Sequence, residues 1–330
     1  MKRTAVACVI ALVSLAIGTY LYQGFHSWNA EKEKQKEQDK FQLLVRAAAA
    51  LENIKYDEAL SIYGDLLASN SNRTPEILRN RAIASLANVK YNIDLTQDAS
   101  NDVEKIRAQL PNLFEQSSRA IADFMAAAPD DPVAYQLGAL RDIRWIAVLA
   151  NANPIIADAE QADLFEKLKK YVAKFPQNAF LVTQLNNSAE AMSAVDPTAL
   201  QATVEPLKQA HQANPRNIYL LCLLIQRLVQ LKDPDVLNYV EPLAKLLEPF
   251  EWKWKMERRP KDLSELRAAA ELGKTELDQA LTTIIGWVGE AKSTEGSLVD
   301  AKSIEVSELA FLDLRDVQAI LKDQPRKTVK

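Results

Sequence analysis

The 330-residue chain contains few of the residues that build catalytic and metal sites, since it has only two cysteines and two histidines. Cys8 lies in an apolar N-terminal run and Cys222 in an apolar helical pattern, so neither a disulfide framework nor a cysteine-based zinc site is expected. Neither His26 nor His211 has a second metal ligand at helical spacing, and no His-Glu-x-x-His motif occurs. We therefore predict no metal and no cofactor.

Glycine and aromatic residues are also scarce. Eight scattered glycines leave no phosphate loop, dinucleotide fingerprint or Gly-x-Ser-x-Gly elbow, which argues against an enzyme and against a small-molecule substrate. A formal charge of −4 gives no electrostatic footprint for nucleic acid. Apolar residues make up 48%, alanine is plentiful and period-two alternation is rare, so the composition predicts an all-α protein.

The longest uncharged run is residues 4–22, preceded by Lys2 and Arg3. Nineteen residues at a rise of about 1.5 Å match the bilayer hydrocarbon thickness. The run predicts a single transmembrane signal-anchor within residues 1–30. The alternative is a cleaved signal peptide, although the residues after the run offer no small-residue cleavage site. The basic pair before the run favours a cytoplasmic N-terminus, with the rest of the chain outside the cytoplasm, periplasmic or extracellular.

Residues 31–40 are highly charged and contain neither proline nor glycine. Their Glu, Lys and Gln content favours helix, so we predict a helical stalk that continues into the apolar pattern from Phe41. The alternative is a solvated linker.

Paired amphipathic patterns fill residues 41–249. Prolines end successive pairs at Pro129, Pro176, Pro215 and Pro249, with spacings of 47, 39 and 34. The last pair is the most regular, with helices predicted over Ile218–Leu231 and Val236–Glu248. The polar composition of Lys90–Asn101 predicts a loop, and the wider proline spacings predict an extended connection around Asn151–Gln161. Carboxylates after the prolines predict helix caps rather than acid–base or calcium sites.

These residues carry a resemblance to the tetratricopeptide repeats. The 34-residue spacing from Pro215 to Pro249 equals that family's period. Ala59 and Tyr63 have the small-then-aromatic spacing of its second helix, and Tyr135–Gly138 is similar to its Trp-x-x-Leu-Gly start. The resemblance implies an irregular solenoid of about five helical hairpins, preceded by the transmembrane helix. It also implies a concave groove lined by the first helix of each hairpin.

The repeat register assigns residues to that groove. On the last hairpin it places Leu221, Leu224, Ile225 and Leu228 at packing positions. The predicted partner-binding residues on the first helices are Arg141, Arg144, Phe180, Thr183, Asn187, Tyr219, Gln226 and Gln230. A solvated or self-filled concave face is the alternative.

Residues 250–330 differ in composition and are predicted to form a capping helix and tail. Their Trp-Lys-Trp-Lys stretch adds Trp252 and Trp254 as candidate binding residues, with a plug over the end of the stack as the alternative.

Together these features predict a membrane-anchored scaffold or adaptor that binds a protein or peptide partner through a tetratricopeptide-like groove. Two alternatives stay open: an accessory subunit or module of an envelope enzyme or secretion complex, and a chaperone for exported polypeptides.

Overall fold

A computed structural model describes residues 32–69, 73–98 and 100–247 of the chain. The described residues form helices joined by short connections and contain no strand, which confirms the all-α prediction. They belong to two compact units, divided between Ile77 and Leu78. The candidate anchor at 4–22 and the tail from 250 lie outside the described residues. Among the described residues, no helix has the length and apolarity needed to cross a membrane.

The described part of the first unit is built around two helices. Helix α1 is continuous through residues 32–52, so the charged stretch is helical as predicted. A tight turn, in which Ile54 has a φ of 60°, leads into α2 (Tyr56–Leu67). Ala59 and Tyr63 are both buried, as their spacing predicts. Burial raises the pKa of Tyr63 to about 12.

The second unit contains the hairpins. Its elements follow one another with connections of at most seven residues: α3 (Pro75–Leu95, from Leu78 onward), α4 (Val103–Ala127), α5 (Pro132–Ala152), α6 (Pro154–Lys174), α7 (Ala179–Met192), α8 (Thr198–Gln201), α9 (Val204–Ala213), α10 (Ile218–Gln230), a 3₁₀ turn (Pro234–Val236) and α11 (Leu237–Leu247). From α4 onward, each long helix packs against the long helix that follows it along the chain.

The largest apolar core extends from α5 to α11. Helix α10 contributes the most to it, with eight buried apolar residues. Leu221, Leu224, Ile225 and Leu228 are all fully buried, so their predicted packing positions are confirmed. Burying a leucine or isoleucine side chain stabilises a fold by about 2 kcal/mol, which makes α10 the centre of this core.

Two predicted connections are shorter than predicted, because much of each is helical. Helix α3 runs on to Leu95, where Ile93 packs against the Val89, Leu110 and Phe114 cluster. Helix α6 begins at Pro154, eight residues before the predicted start at Ala162. Asn153 caps it by accepting a hydrogen bond from the Ile156 amide at 3.4 Å, and proline is favoured in a first turn.

One predicted helix is interrupted. The pattern over Thr198–Asn214 predicts a single helix, but the structure divides it into α8 and α9 at Ala202 and Thr203. The Thr203 side chain is fully buried, and its hydroxyl donates to the Leu200 carbonyl oxygen at 2.8 Å. A hydroxyl that bonds its own backbone weakens regular helix, so the Thr203 side chain is compatible with an interruption at this point.

Candidate partner-binding surface

Helices α5, α7 and α10 are the first helices of three successive hairpins. The predicted groove residues lie on these three helices. Each also packs against the first helix of the next hairpin, α5 against α7 and α7 against α10. The second helices are α6, α9 and α11. Residues on the three first helices can therefore form one continuous surface, and the connections between hairpins set its register.

Three of these connections share one geometry. The residue before the proline ends the preceding helix with nearly the same backbone angles in each: φ −135° and ψ 68° at Ala128, −128° and 65° at Phe175, and −129° and 64° at Asn214. A following proline disfavours the helical conformation at this position in the chain, which explains why all three helices stop there. We call these connections, 128–131, 175–178 and 214–217, the junctions.

Each junction also starts the next helix with a side-chain cap. Asp131, Asn178 and Asn217 accept hydrogen bonds from the amides of Val133, Leu181 and Leu220 at 2.9, 3.0 and 3.1 Å. The backbone amides of the same three capping residues donate to the carbonyl oxygens of Ala128, Phe175 and Asn214. Each cap is worth about 1 kcal/mol. A short x-Pro-x-Asn/Asp segment thus ends one hairpin and begins the next.

Hydrogen bonds connect neighbouring junctions to one another. The Gln136 amide donates to Asn178 Oδ1 at 3.1 Å, and Asn214 Nδ2 donates to the Gln177 carbonyl oxygen at 3.3 Å. Lys174 donates to the Pro129 carbonyl oxygen and to the Tyr135 hydroxyl. The three junctions therefore lie along one edge of the unit, which we call the junction edge.

A polar network joins α7 to α10 in the halves of these helices that lie away from the junctions. Asn186 Oδ1 accepts from Arg227 Nε at 3.2 Å and from Nη2 at 2.8 Å. Arg227 Nη1 donates to Gln230 Oε1 at 2.6 Å, and the Gln230 amide donates to Glu190 at 3.2 Å. Arg227 is only 2% exposed. Burial lowers its pKa, and the charge of Glu190 partly opposes that shift.

A second polar group joins α5 to α6. Asp142, nearly buried, accepts hydrogen bonds from Arg141 and from Lys167, the latter at 3.3 Å. Lys167 also pairs with Asp163 at 2.9 Å. Burial lowers the pKa of Lys167, but the two carboxylates outweigh that effect and the net shift is upward. Both groups fix the relative positions of helices and leave few of their donors facing solvent.

The structure distributes the predicted groove residues over three environments. Phe180 and Thr183 are buried, so in this conformation they belong to the core rather than to an exposed surface. Tyr219 and Gln226 are half-buried, whereas Asn187 and Gln230 are exposed. Trp252 and Trp254 lie outside the described residues.

The two predicted arginines on α5 are occupied by contacts within the chain. Arg141 pairs with Asp142, and Arg144 Nη1 donates to the Leu86 carbonyl oxygen on α3 at 3.2 Å. Burial lowers the pKa of Arg144 to about 10, although the charge of Asp94 acts in the opposite direction. Arg144 therefore contributes to the packing of α5 on α3.

Sequence reasoning missed Asn186, Glu190 and Arg227. A signal for them exists, because an arginine inside the apolar helix α10 must find a polar partner when it is buried. Asn186 lies 41 residues before Arg227 on the preceding first helix, which is close to one hairpin length. Pairing polar residues across one repeat length would have identified the network.

The described residues contain no group of three or more His, Cys, Asp or Glu side chains that could hold a metal ion. Cys222 is fully buried in α10, and burial raises its pKa, so it stays a protonated apolar side chain. His211 is half-buried on α9 and stacks edge-on against Tyr239 with ring centroids 6.0 Å apart. Burial lowers its pKa.

No family model, curated protein or solved structure matches this chain.

Proposed function

We propose that this chain is a scaffold or adaptor that binds a protein or peptide partner on the surface formed by the first helices of its hairpins. The observation that supports this most is the repeated junction, which aligns α5, α7 and α10 side by side. Regular alignment of this kind is typical of helical-repeat solenoids, whose stacked first helices present an extended binding surface. In this proposal the hairpins form a tetratricopeptide-like solenoid.

Within the proposed surface, Asn187, Gln226 and Gln230 are the residues that keep polar groups near solvent. Amide side chains both donate and accept hydrogen bonds, so they suit the backbone of a bound peptide. The network through Arg227 holds Gln230 in a fixed geometry. A preorganised amide costs less side-chain entropy when it binds than a free one does.

The same proposal includes membrane attachment through residues 4–22, with the hairpins outside the cytoplasm. The length and apolarity of the run support this part. Alkaline carbonate extraction of membranes from cells that express the full chain tests it. We expect the full-length chain to stay with the membranes, and its release would contradict the anchor.

Site-specific photo-crosslinking tests the binding surface. A benzoylphenylalanine placed at Asn187 or at Gln226 of the full chain should crosslink, in cells, to one partner in stoichiometric yield. The matched control is Gln116, an exposed residue on α4. We expect no crosslink there, and equal crosslinking from all three positions would overturn the proposed surface.

The pattern of crosslinked products also separates the alternatives. Crosslinks to many unfolded chains would support a chaperone for exported polypeptides. Crosslinks to a subunit of an envelope enzyme or secretion complex would support an accessory module of that assembly. Turnover of a substrate by the isolated chain would contradict a non-enzymatic function.

A further inference from the structure

Charged residues are scarce on the helices that form the proposed binding surface. Helix α7 has one charged residue in 14, Glu190, and α10 has one in 13, Arg227. Helices α5 and α6 are both 21 residues long, but the first helix α5 carries three charged residues whereas the second helix α6 carries eight. The first helices, and α7 and α10 above all, therefore differ from α6 in their low charge.

The charges that the first helices do carry are balanced within the chain. Their three arginines each interact with a carboxylate, in the pairs Arg141 with Asp142, Arg144 with Asp94 and Arg227 with Glu190. In the last pair, Arg227 Nη2 lies 3.9 Å from a carboxylate oxygen of Glu190. A charged side chain that approaches α7 and α10 meets this pair rather than a single unbalanced charge, so neither sign is strongly attracted.

One contact and the helical spacing define a polar patch on α7 and α10. The hydrogen bond from the Gln230 amide to Glu190, at 3.2 Å, places these two side chains next to each other. Asn187 precedes Glu190 by three positions and Gln226 precedes Gln230 by four, so each lies on the same face of its helix as its neighbour in the patch. We call these four residues the amide patch. Three of them are exposed, and Gln226 is half-buried.

The surface around the amide patch offers no exposed apolar anchor. Helices α5, α7 and α10 are described over their whole length, and none of their large apolar side chains is exposed. Tyr219 and Val229 of α10, for example, are half-buried. The amide patch is therefore neither apolar nor charged overall.

The charges at the borders of the patch are also of both signs. At the end of α10, the exposed Lys232 is followed directly by Asp233. Beyond the end of α7, the charge of Lys169 acts on Asp196. Neither border therefore gives the patch a field of one sign.

We propose that the amide patch binds an uncharged polar segment of the partner protein, rich in serine, threonine, asparagine or glutamine. This inference rests on the proposed function and names the chemistry of the partner at that surface. Amide side chains donate and accept hydrogen bonds, so they match the backbone and the neutral polar side chains of such a segment. A charged side chain of the partner would lose water at the patch without gaining a counter-charge, which disfavours charged segments.

Photo-crosslinking from Gln226 of the full chain tests the chemistry of the segment. Benzoylphenylalanine at this position is the probe, and mass spectrometry of the crosslinked product identifies the partner residue that it reaches. We expect no Asp, Glu, Lys or Arg within about three residues of that point, a distance of about 10 Å along an extended segment. The yield in cell extracts should change less than about twofold between about 0.1 and about 1 M NaCl, because salt screens charges and not neutral hydrogen bonds.

Two charge variants of the neighbouring amide sharpen the test. Asn187→Asp and Asn187→Lys should each lower the crosslinking yield from Gln226 about fivefold or more, because each introduces a charge that the segment cannot pair. The matched control, Gln116→Lys at an exposed position on α4, should leave the yield unchanged. Asn187 is exposed, and circular dichroism establishes that each variant is folded. The composition of the crosslinked segment is a readout that does not depend on either variant.

Several results would overturn the proposal. A higher yield in Asn187→Asp would identify a basic segment, and a higher yield in Asn187→Lys would identify an acidic one. Either result, or a yield lost at high salt, would leave the proposed function standing while removing the uncharged segment. No crosslinked product from Gln226 at any salt concentration would overturn both. A product that contains only this chain would identify the amide patch as an interface between two copies of it.

Discussion

The second unit has two kinds of connection: the junctions between hairpins, and the turns within hairpins at residues 153, 193–197 and 231–236. We call these turns, with the first residues of the helices that follow them, the turn edge. The junction edge and the turn edge are built from the same kinds of residue but are held differently. At the junction edge, a proline follows the residue that ends a helix. At the turn edge, a proline follows an asparagine or an aspartate. At both edges, the side chain of an asparagine or aspartate caps the next element. At the junction edge, hydrogen bonds from Gln136, Lys174 and Asn214 join each connection to its neighbour. At the turn edge, Asp196 and Asp233 accept hydrogen bonds from backbone amides within their own turns, and the bond to a neighbouring hairpin is an ion pair between Lys208 and Asp235.

This difference predicts which edge contributes more to the stability of the fold. Polar groups at the junction edge are engaged in bonds between hairpins, and the exposed large aliphatic residues are at the turn edge. Exposed aliphatic residues contribute little to folding, since their environment changes little on unfolding. Substitutions at the junction edge should therefore reduce stability, whereas those of the exposed aliphatic residues at the turn edge should leave it nearly unchanged.

The largest effect is expected from the network that joins α7 to α10 between the two edges. Arg227→Ala removes a buried side chain and leaves Asn186 without its donor. We expect the free energy of unfolding to fall by about 3 kcal/mol, because a buried polar group without a partner is costly. Urea denaturation of the full chain, followed by circular dichroism, measures it.

A double-mutant cycle with Asn186→Ala isolates the contact in that network. Its coupling energy should lie between about 0.5 and 3 kcal/mol. The control Arg107→Ala, an exposed residue on α4, should change stability by less than about 0.5 kcal/mol. Additive effects of the two network substitutions would show that the hydrogen bonds between Arg227 and Asn186 contribute nothing to stability.

An intermediate effect is expected at the junction edge. Asn178→Ala loses a helix cap and the acceptor for Gln136, so we expect a loss of about 2 kcal/mol. The equivalent Asn217→Ala loses a cap whose side chain makes no second bond of this kind within the described residues, and should cost about 1 kcal/mol. The same denaturation experiment compares them. Equal losses would mean that the bonds between junctions do not stabilise the unit.

A smaller effect should appear as a dependence on pH. Burial lowers the pKa of His211, so the folded chain holds the neutral form more strongly than the unfolded chain does. This contribution is complete above the unfolded value of about 6.5 and is lost as the pH falls through the lower folded pKa. Thermal unfolding at pH 7.5, 6.5 and 5.5 should show that His211→Gln has a smaller decrease than the unsubstituted chain. An identical slope in both would exclude His211 as the source.

The smallest effect on stability is expected at the turn edge. Ile155→Ser and Val195→Ser should each change the free energy of unfolding by less than about 0.5 kcal/mol, since these side chains are already in solvent. Leu221→Ser, a buried residue on α10, is the matched apolar control and should destabilise strongly. A loss above about 1 kcal/mol from Val195→Ser would show that this side chain is covered in the folded chain.

Local patterns predict much of this fold. The α10 register is predictable because its leucines recur at helical spacing and all face the core. The starts of α3 and α6 depend on one rule, since Pro75 and Pro154 both occupy a first turn. That rule gives the α3 start. The expected break at Asn153-Pro154 is also present, since α5 ends at Ala152, but α6 begins at once at Pro154, so the predicted connection up to Gln161 is wrong. A capping asparagine followed by proline indicates a helix start at least as strongly as it indicates an end.

Tertiary contacts account for the remaining differences between the sequence predictions and the structure. The polar end of α3 is helical because Ile93 packs onto Phe114 and Trp145 belongs to the same cluster, which local composition does not reveal. The burial of Phe180 and Thr183 likewise follows from how α7 packs on its neighbours. The pairing of Asn186 with Arg227 depends on the hairpin length, which varies along this chain. Residues of a candidate surface are harder to predict than helices, because exposure depends on every neighbouring hairpin.

The bonds between hairpins also have a mechanical consequence. They occur at the junctions, where Asn214 bonds Gln177, and near the opposite ends of the helices, where Gln230 bonds Glu190. Hairpins that are joined at two heights resist both sliding and splaying. Thermal bending of the second unit should therefore change the separation of neighbouring hairpins little at either height.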